Sequence, residues 1–397
     1  MKKILFLNTV CSVGSTGRMV KDLYNLAKGE GYTCRVAYGR GNADGIPHDD
    51  AYCIGTKLSL YRTALLSRIN DREGFMLKAQ TKKFLDYVDE FAPDIIHIHN
   101  LHGYYLNVPL LFEYLSQHRN IKVVWTLHDC WAFTGHCAVF DETECEKWLT
   151  GCGNCPRKGT YPASLLADCS ARNYAEKKRC FNLHENITVV TPSEWLAGIV
   201  RRSFLSRYPV EVIRNGIDMS FFAPTDSDIR KRYGLENKCV LLGVSLKWYA
   251  SKGIEDLIEL RKKLDDSFVI VIIGEGSEEY FKGEGFITLS RTNSREELAQ
   301  WYTAADYFVN PTHADNFPTV NLEALACGTP VITYNTGGSP EAVDDRCGAV
   351  IYDSSYESLA EYLKTKPRFN ASDCVEHSAL FDKSNALKGY LELYAGS

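Results

Sequence analysis

Lys247 and Lys252 stand at the two ends of a loop that leads from an apolar, strand-like stretch into a helical one opening near Gly253. Two cations beside a helix N-terminus suit a diphosphate whose negative charge grows as a bond to it breaks. Further on, Asp315-Asn316-Phe317-Pro318-Thr319-Val320-Asn321-Leu322-Glu323 carries two carboxylates eight residues apart. The first falls in a loop and the second on a helix over 320–326, so Asp315 can reach a sugar while Glu323 accepts hydrogen bonds from ribose hydroxyls. The turn Gly337-Gly338-Ser339-Pro340-Glu341 offers another set of backbone donors.

The first half carries its own candidates. Cys11-Ser12-Val13-Gly14-Ser15-Thr16-Gly17-Arg18 follows a strand and precedes a helix, and Gly14 and Gly17 would let backbone N–H groups approach an anion. The spacing is neither the dinucleotide GxGxxG nor the GxxxxGK[ST] phosphate loop. The next strand ends near Arg35 and Arg40, without the acidic residue that binds a dinucleotide ribose. Trp125-Thr126-Leu127-His128-Asp129 puts His128 at the carboxyl end of a strand, where a neutral imidazole can hydrogen-bond a sugar hydroxyl or orient an acceptor. His97 and His99 alternate onto one strand face, as a metal site or as scaffolding beneath the site.

Residues 129–165 are rich in Cys, Gly and Pro and too irregular for a crossover helix. Cys152-Gly153-Asn154-Cys155 has the CxxC spacing of a zinc site, and Cys137, Cys145, Cys152 and Cys155 together would close a tetrahedral structural site. Free thiols and a redox pair are the rival readings. The redox version fits poorly, because Pro156 and Gly159 mark a loop where a helix should open.

These residues need elements to position them. Strand-length apolar runs alternate with helical patterns, the signature of parallel sheets with crossover helices. The first series reads Ile4–Thr9, Cys34–Tyr38, Ile95–Ile98, Val123–Leu127 and Thr188–Thr191. The second reads Cys239–Val244, Phe268–Ile273, Phe286–Leu289, Tyr307–Asn310 and Pro330–Tyr334. Amphipathic stretches lie at Met19–Lys28, Phe84–Phe91, Ile254–Leu264, Arg295–Ala304 and Val320–Ala326. The fold class is α/β, with two Rossmann-like domains, 1–210 and 211–397, facing across a deep cleft. The last helix is placed as one that can pack back on the first domain.

The motifs in order resemble the retaining GT-B glycosyltransferases of family 4, in a cysteine-containing subgroup of bacterial capsule and exopolysaccharide biosynthesis. The second half carries Asn215-Gly216-Ile217-Asp218, Lys247 through Gly253, Asp315 through Ile332 and Thr336 through Glu341. The first half carries His99-Asn100-Leu101-His102, Thr126 through Asp129 and Thr191 through Leu196. The resemblance implies that Lys247 and Lys252 hold the donor diphosphate, Asp315 contacts the donor sugar and Glu323 binds the ribose. Backbone of Asn316, Phe317 and Pro318 would line the pocket, and His128 would serve catalysis from the first domain. Lys247 stands where an Arg is usual, and Asp315 where a Glu is usual, so the identity of the donor sugar stays open. The implied reaction moves a hexose from a nucleotide diphosphate, UDP before GDP, to a lipid-linked saccharide, with no catalytic cofactor and a structural zinc. A nucleotide-sugar epimerase and a non-catalytic nucleotide-sugar-binding homologue are the alternatives.

Composition fits this picture. A chain of 397 residues suits two domains, and 14 cysteines in so long a chain do not suggest a disulfide scaffold. It starts on a short strand, without a signal-peptide run of apolar residues, and no stretch reaches the roughly 18 apolar residues that span a bilayer. A cytoplasmic protein with reduced thiols is expected. Residues 1–215 carry 27 Lys and Arg against 22 Asp and Glu, whereas residues 216–397 carry 18 against 28. The basic half could rest on anionic lipid at the inner face of the plasma membrane, with Tyr104, Tyr105, Lys78 and Lys82 on the acceptor side; no nucleic-acid partner is expected.

Overall fold

The computed structural model describes residues 2–139 and 145–396. The chain divides into two compact units, Met1–Ile213 with Leu387–Ser397, and Arg214–Ala386.

The first unit is a seven-stranded sheet of β1 (Lys3–Val10), β2 (Thr33–Arg40), β3 (Ala51–Cys53), β4 (Ile95–Ile98), β5 (Lys122–Thr126), β6 (Ile187–Thr191) and β7 (Val210–Val212), in the order β3-β2-β1-β4-β5-β6-β7. All its pairings are parallel. Helices cover both faces, which is why β1 reads as an unbroken apolar run: Ile4, Leu5, Phe6 and Leu7 are all fully buried. The second unit holds β8 (Cys239–Lys247), β9 (Phe268–Glu275), β10 (Phe286–Leu289), β11 (Tyr307–Asn310), β12 (Val331–Tyr334) and β13 (Gly348–Ile351), ordered β10-β9-β8-β11-β12-β13 and again parallel.

In each sheet the strand order reverses once, between β1 and β4 and between β8 and β11. Ligands of such sheets bind beyond the carboxyl ends of the strands at that reversal. Just past the ends of β1 and β4 lie Gly14, at the start of a helix, and His99, and just past those of β8 and β11 lie Lys252 and Asp315.

The short strands β3, β7 and β13, at sheet edges, are not anticipated by apolar runs. The helix expected from Met19 begins earlier, at Gly14, so Gly14 and Gly17 stand in its first turn and not in a loop before it. The last helix, Lys383–Ala395, starts in the second unit, where Lys383 pairs with Asp218. It ends in the first, with Tyr390 and Tyr394 buried. Among the described residues, no helix is long and apolar enough to cross a membrane.

Candidate functional site

In the second unit, β8 ends at Lys247 and a single turn, Ala250–Lys252, leads into helix Ile254–Lys263. Gly253 joins the two with φ +79°, and a Cβ there would lie 2.3 Å from the Pro311 carbonyl oxygen. Only glycine lets the turn after β8 press so closely on the loop after β11. That contact brings Lys252 Nζ to 2.7 Å from Asp315 Oδ2, with about a fifth of each side chain exposed. Burial disfavours the Lys252 charge, but the Asp315 carboxylate outweighs it and its pKa is raised. Lys247 is separately engaged, 2.6 Å from Glu275 Oε1 and largely exposed.

The loop bearing Asp315 is held from several sides. Its Oδ1 accepts from the Phe317 N–H at 3.3 Å. Its carbonyl accepts from the Gly338 N–H at 3.2 Å. Gly337, at φ +56°, sits so close that a Cβ would fall 1.7 Å from that carbonyl. The Gly338 donor that the sequence offered to a ligand is thus spent on the Asp315 loop. His313 Nε2 lies 2.7 Å from Asp256 Oδ2, tying the loop to helix Ile254–Lys263. Phe317 and Pro318 are buried, Phe317 against Phe381, so their side chains serve the core. Glu323, half-buried on helix Thr319–Ala326, accepts from the Tyr302 hydroxyl at 3.0 Å.

In the first unit, His97, His99 and His128 form a row. The His97 and His99 rings lie 4.2 Å apart. His99 Nδ1 is 3.0 Å from His128 Nε2, with the two rings near parallel. His97 is 2.6 Å from the Tyr394 hydroxyl and 2.8 Å from Thr126 Oγ1, using both ring nitrogens. His97 is therefore scaffolding, not a metal ligand. Burial pushes His97 down to about 3 and His128 to about 4, so both are neutral at pH 7. His128 lines a shallow recess with Asn100, His102, Asp129 and Trp131.

With this geometry in place, the chain matches the family described as Glycosyl transferases group 1 over residues 226–365 and that described as Glycosyltransferase Family 4 over residues 16–221, more than half its length. The chain belongs to glycosyltransferase family 4. It is 26% identical over 378 residues to an Escherichia coli (strain K12) protein named as colanic acid biosynthesis glycosyl transferase WcaC, covering 91% of this chain and 90% of that one. It is 25% identical over 207 residues to D-inositol 3-phosphate glycosyltransferase of Mycolicibacterium smegmatis, where the match covers 48% of each. Among solved structures it resembles sucrose-phosphate synthase from Thermosynechococcus elongatus (TM-score 0.71, 18% identity, 100% of both chains). It also resembles Anabaena Alr3699/HepE in complex with UDP (TM-score 0.67, 17% identity, 100% of both chains). These likenesses establish the fold, GT-B, and the family establishes the enzyme as a glycosyltransferase.

Beside His128 the glycosyltransferase holds a network that its sequence did not announce. His102 Nε2 lies 2.7 Å from Asp129 Oδ2, and its Nδ1 3.0 Å from the Tyr161 hydroxyl. Burial opposes the charged form of His102, but Asp129 outweighs it and the pKa rises. Glu73 is buried, accepts from the Gly103 N–H, and is raised by that burial. Lys177 is buried over the Trp131 ring, donates to the carbonyls of Trp131 and Thr134, and is pushed down to about 7 by burial. Each comes from a different segment; His102 and Asp129 lie in motifs that carry the resemblance, whereas no local pattern marks Glu73, Tyr161 or Lys177. One expectation is corrected: Tyr105 cannot line an acceptor surface, because it is fully buried and its hydroxyl donates to the Asn100 carbonyl. Tyr104 is half-buried, and Lys78 and Lys82 are exposed.

In the insert, Cys137, Cys145, Cys152 and Cys155 line one small recess; residues 140–144 lie outside the described residues. The Cys152 sulfur accepts from the Gly135 N–H at 3.2 Å. Cys137 donates to Cys155, which lowers the Cys155 thiol and raises that of Cys137. Four thiols around one recess fit the donor set of a structural zinc. Among the described residues, however, the donor atoms drawn within 4.8 Å of one another belong to a different cluster, Asp344, Cys347 and His377.

Proposed function

We propose that this glycosyltransferase retains anomeric configuration and moves a hexose from a nucleotide diphosphate, UDP in preference to GDP, to a lipid-linked saccharide in surface polysaccharide synthesis. The Lys252–Asp315 pair at the strand-order reversal of the second unit carries the reading. Lys252 and Lys247 bind the diphosphate and stabilise its growing charge, and Glu323 takes the ribose hydroxyls. Asp315 contacts the sugar, and the Asn316–Pro318 backbone lines the pocket. The first turn of helix Gly14–Gly29, with Gly14 and Gly17, has no side-chain cap and no acidic residue, which suits an anionic group. Neutral His128 exchanges hydrogen bonds with a sugar hydroxyl.

The acceptor hydroxyl attacks the anomeric carbon from the face that the diphosphate leaves. The new C–O bond forms as the C–O(P) bond breaks, and the hydroxyl proton passes to the departing phosphate oxygen. Structures titled as complexes of Anabaena HepE with UDP and with UDP-glucose support the donor class. The name of the Escherichia coli relative supports the pathway class. A zinc on Cys137, Cys145, Cys152 and Cys155 would supply a structural cross-link that orders the insert following His128.

The test is thermal stabilisation against nucleotide diphosphates and their sugars, followed by product analysis. A nucleotide present at 100 times its dissociation constant adds about 2.7 kcal/mol. UDP should stabilise, and nuclear magnetic resonance of the product should show an α-linkage from an α-donor. An inverted product, or no shift with any nucleotide, would overturn the reading.

A further inference from the structure

Helix Lys57–Asn70 is built inside out. A capping box between Thr56 and Ser59 starts it. Apart from Leu60, which packs on the core, the residues it turns inward are small and polar: Thr63 and Ser67 are buried, and the Ser67 hydroxyl finds no partner. The residues it turns outward are large and apolar. Leu58, Tyr61, Leu65 and Ile69 fall at i, i+3, i+7 and i+11, a single stripe. They are 78%, 76%, 62% and 44% exposed.

A second segment widens the stripe. The Leu165 N–H donates to the Arg68 carbonyl at 2.7 Å and the Ala167 N–H to that of Ile69 at 3.0 Å, which lays Leu165 and Leu166 beside the last turn. These two leucines are 70% and 72% exposed. An apolar surface this continuous marks an interaction site.

Charge selects the partner. The helix exposes Lys57, Arg62 and Arg68 and contains no acidic residue. The carboxylates that follow are turned away: Asp71 pairs with buried His136, and Glu73 accepts from the Gly103 N–H. On the helix itself the apolar side chains are flanked only by cations, while the exposed Asp168 follows Leu166 in the second segment and is engaged by the Cys155 and Ser170 N–H groups. Such a helix lies in the plane of an anionic membrane surface. The stripe also adjoins the site. Tyr161, half-exposed near Leu165, touches His102, which pairs with Asp129 next to His128.

We propose that helix Lys57–Asn70 and Leu165–Leu166 dock the enzyme on an anionic lipid bilayer, the leucines in the acyl boundary and the cations among the headgroups. This rests on the reading of the acceptor as lipid-linked. Co-sedimentation of the full chain with phosphatidylglycerol-containing vesicles, and with phosphatidylcholine vesicles, tests it. The wild type should bind the anionic vesicles, and less tightly as salt rises. The variant Leu58→Ser/Leu65→Ser/Leu166→Ser should lose at least about 100-fold in vesicle affinity. Arg62→Gln/Arg68→Gln should lose about 25-fold on anionic vesicles, at about fivefold per cation. All five side chains are exposed, so UDP affinity and melting temperature should stay at wild-type values.

A wild type that ignores anionic vesicles, or a triple-serine variant that binds them equally, would overturn the docking surface. So would a dimer in solution that the serines dissociate, since a second copy would then cover the stripe. If vesicle binding follows the stripe but no lipid-linked saccharide accepts sugar, the acceptor reading falls alone. If a detergent-dispersed lipid-linked acceptor is used while the stripe proves irrelevant to vesicles, the docking proposal falls alone.

Discussion

The Lys252–Asp315 pair allows a prediction in which two neighbouring substitutions have opposite effects. The lysine is assigned to the diphosphate and the aspartate to the sugar, so they should separate when UDP binding and transfer are measured apart. Lys252→Met removes a charge-assisted hydrogen bond worth about 1.5–3 kcal/mol to an anion. That corresponds to about a tenfold to 150-fold rise in the UDP dissociation constant. Asp315→Asn keeps the shape of the loop and removes a negative charge that competes with the diphosphate for Lys252 Nζ, 2.7 Å away. UDP should then bind as well as before or more tightly, while transfer slows by at least about 100-fold through loss of the sugar contact.

Stability gives an internal control. Breaking a fully buried pair by removing one partner costs about 3–5 kcal/mol. About a fifth of each side chain here meets water, and the Phe317 N–H still reaches Asp315, so about 1–2 kcal/mol is expected for Lys252→Met. In a unit of this size that lowers the melting temperature by about 2–8 °C. Isothermal calorimetry with UDP and a UDP-release assay read the two functions. A Lys252→Met enzyme that binds UDP within twofold of wild type would refute the assignment. So would an Asp315→Asn enzyme that loses UDP as badly as the lysine variant.

Acid should destabilise the first unit through its histidine row. His97 and His128, held near 3 and 4 by burial, stay neutral in the folded chain while the unfolded chain takes up protons below pH 6.5. Their stabilisation is complete above that pH and is lost as pH falls toward the folded values, by about 2 kcal/mol for the two between pH 6.5 and 5.5. His102 and His136, raised by Asp129 and Asp71, have given most of their contribution by pH 6.5 and each offsets at most about 0.4 kcal/mol below it. Urea unfolding followed by tryptophan fluorescence should show the drop; an unchanged midpoint would contradict the neutral row. For the insert, elemental analysis should find one zinc per chain, and Cys155→Ala should lose it and lower the melting temperature by several degrees. Metal-free protein with four reactive thiols and an unchanged melt would exclude the zinc.

What the sequence disclosed follows from burial. Strands covered on both faces read as apolar runs, and Ile95–Ile98 and Tyr307–Asn310 were legible to the residue; the half-covered edge strand Phe286–Leu289 was legible too, because three of its four residues are large and apolar. Edge strands are short and half-covered, so Ala51–Cys53, Val210–Val212 and Gly348–Ile351 gave no such run. Helix Lys57–Asn70 stayed hidden because its apolar residues face outward, against the rule by which periodicity is read. The second-unit candidates were legible because they cluster in 247–253 and 315–323. Glu73, His102, Asp129, Tyr161 and Lys177 come from five separate segments, and only the folded chain makes them neighbours.

The same long-range assembly explains how the last helix bears on His128. The Thr126 hydroxyl donates to that of Tyr390 at 3.1 Å, so it must accept from His97 Nε2–H. His97 Nδ1 then accepts from the Tyr394 hydroxyl. Two tyrosines one helical turn apart, far along the chain, thereby fix the tautomer of the histidine against which His99 packs and on which His128 in turn rests. A charged His97 would carry a second N–H, and the Tyr394 hydroxyl would have to turn from donor to acceptor to receive it. The neutrality of His128, and with it the hydrogen bond proposed for a sugar hydroxyl, follows from its burial, to which the near-parallel ring of His99 contributes.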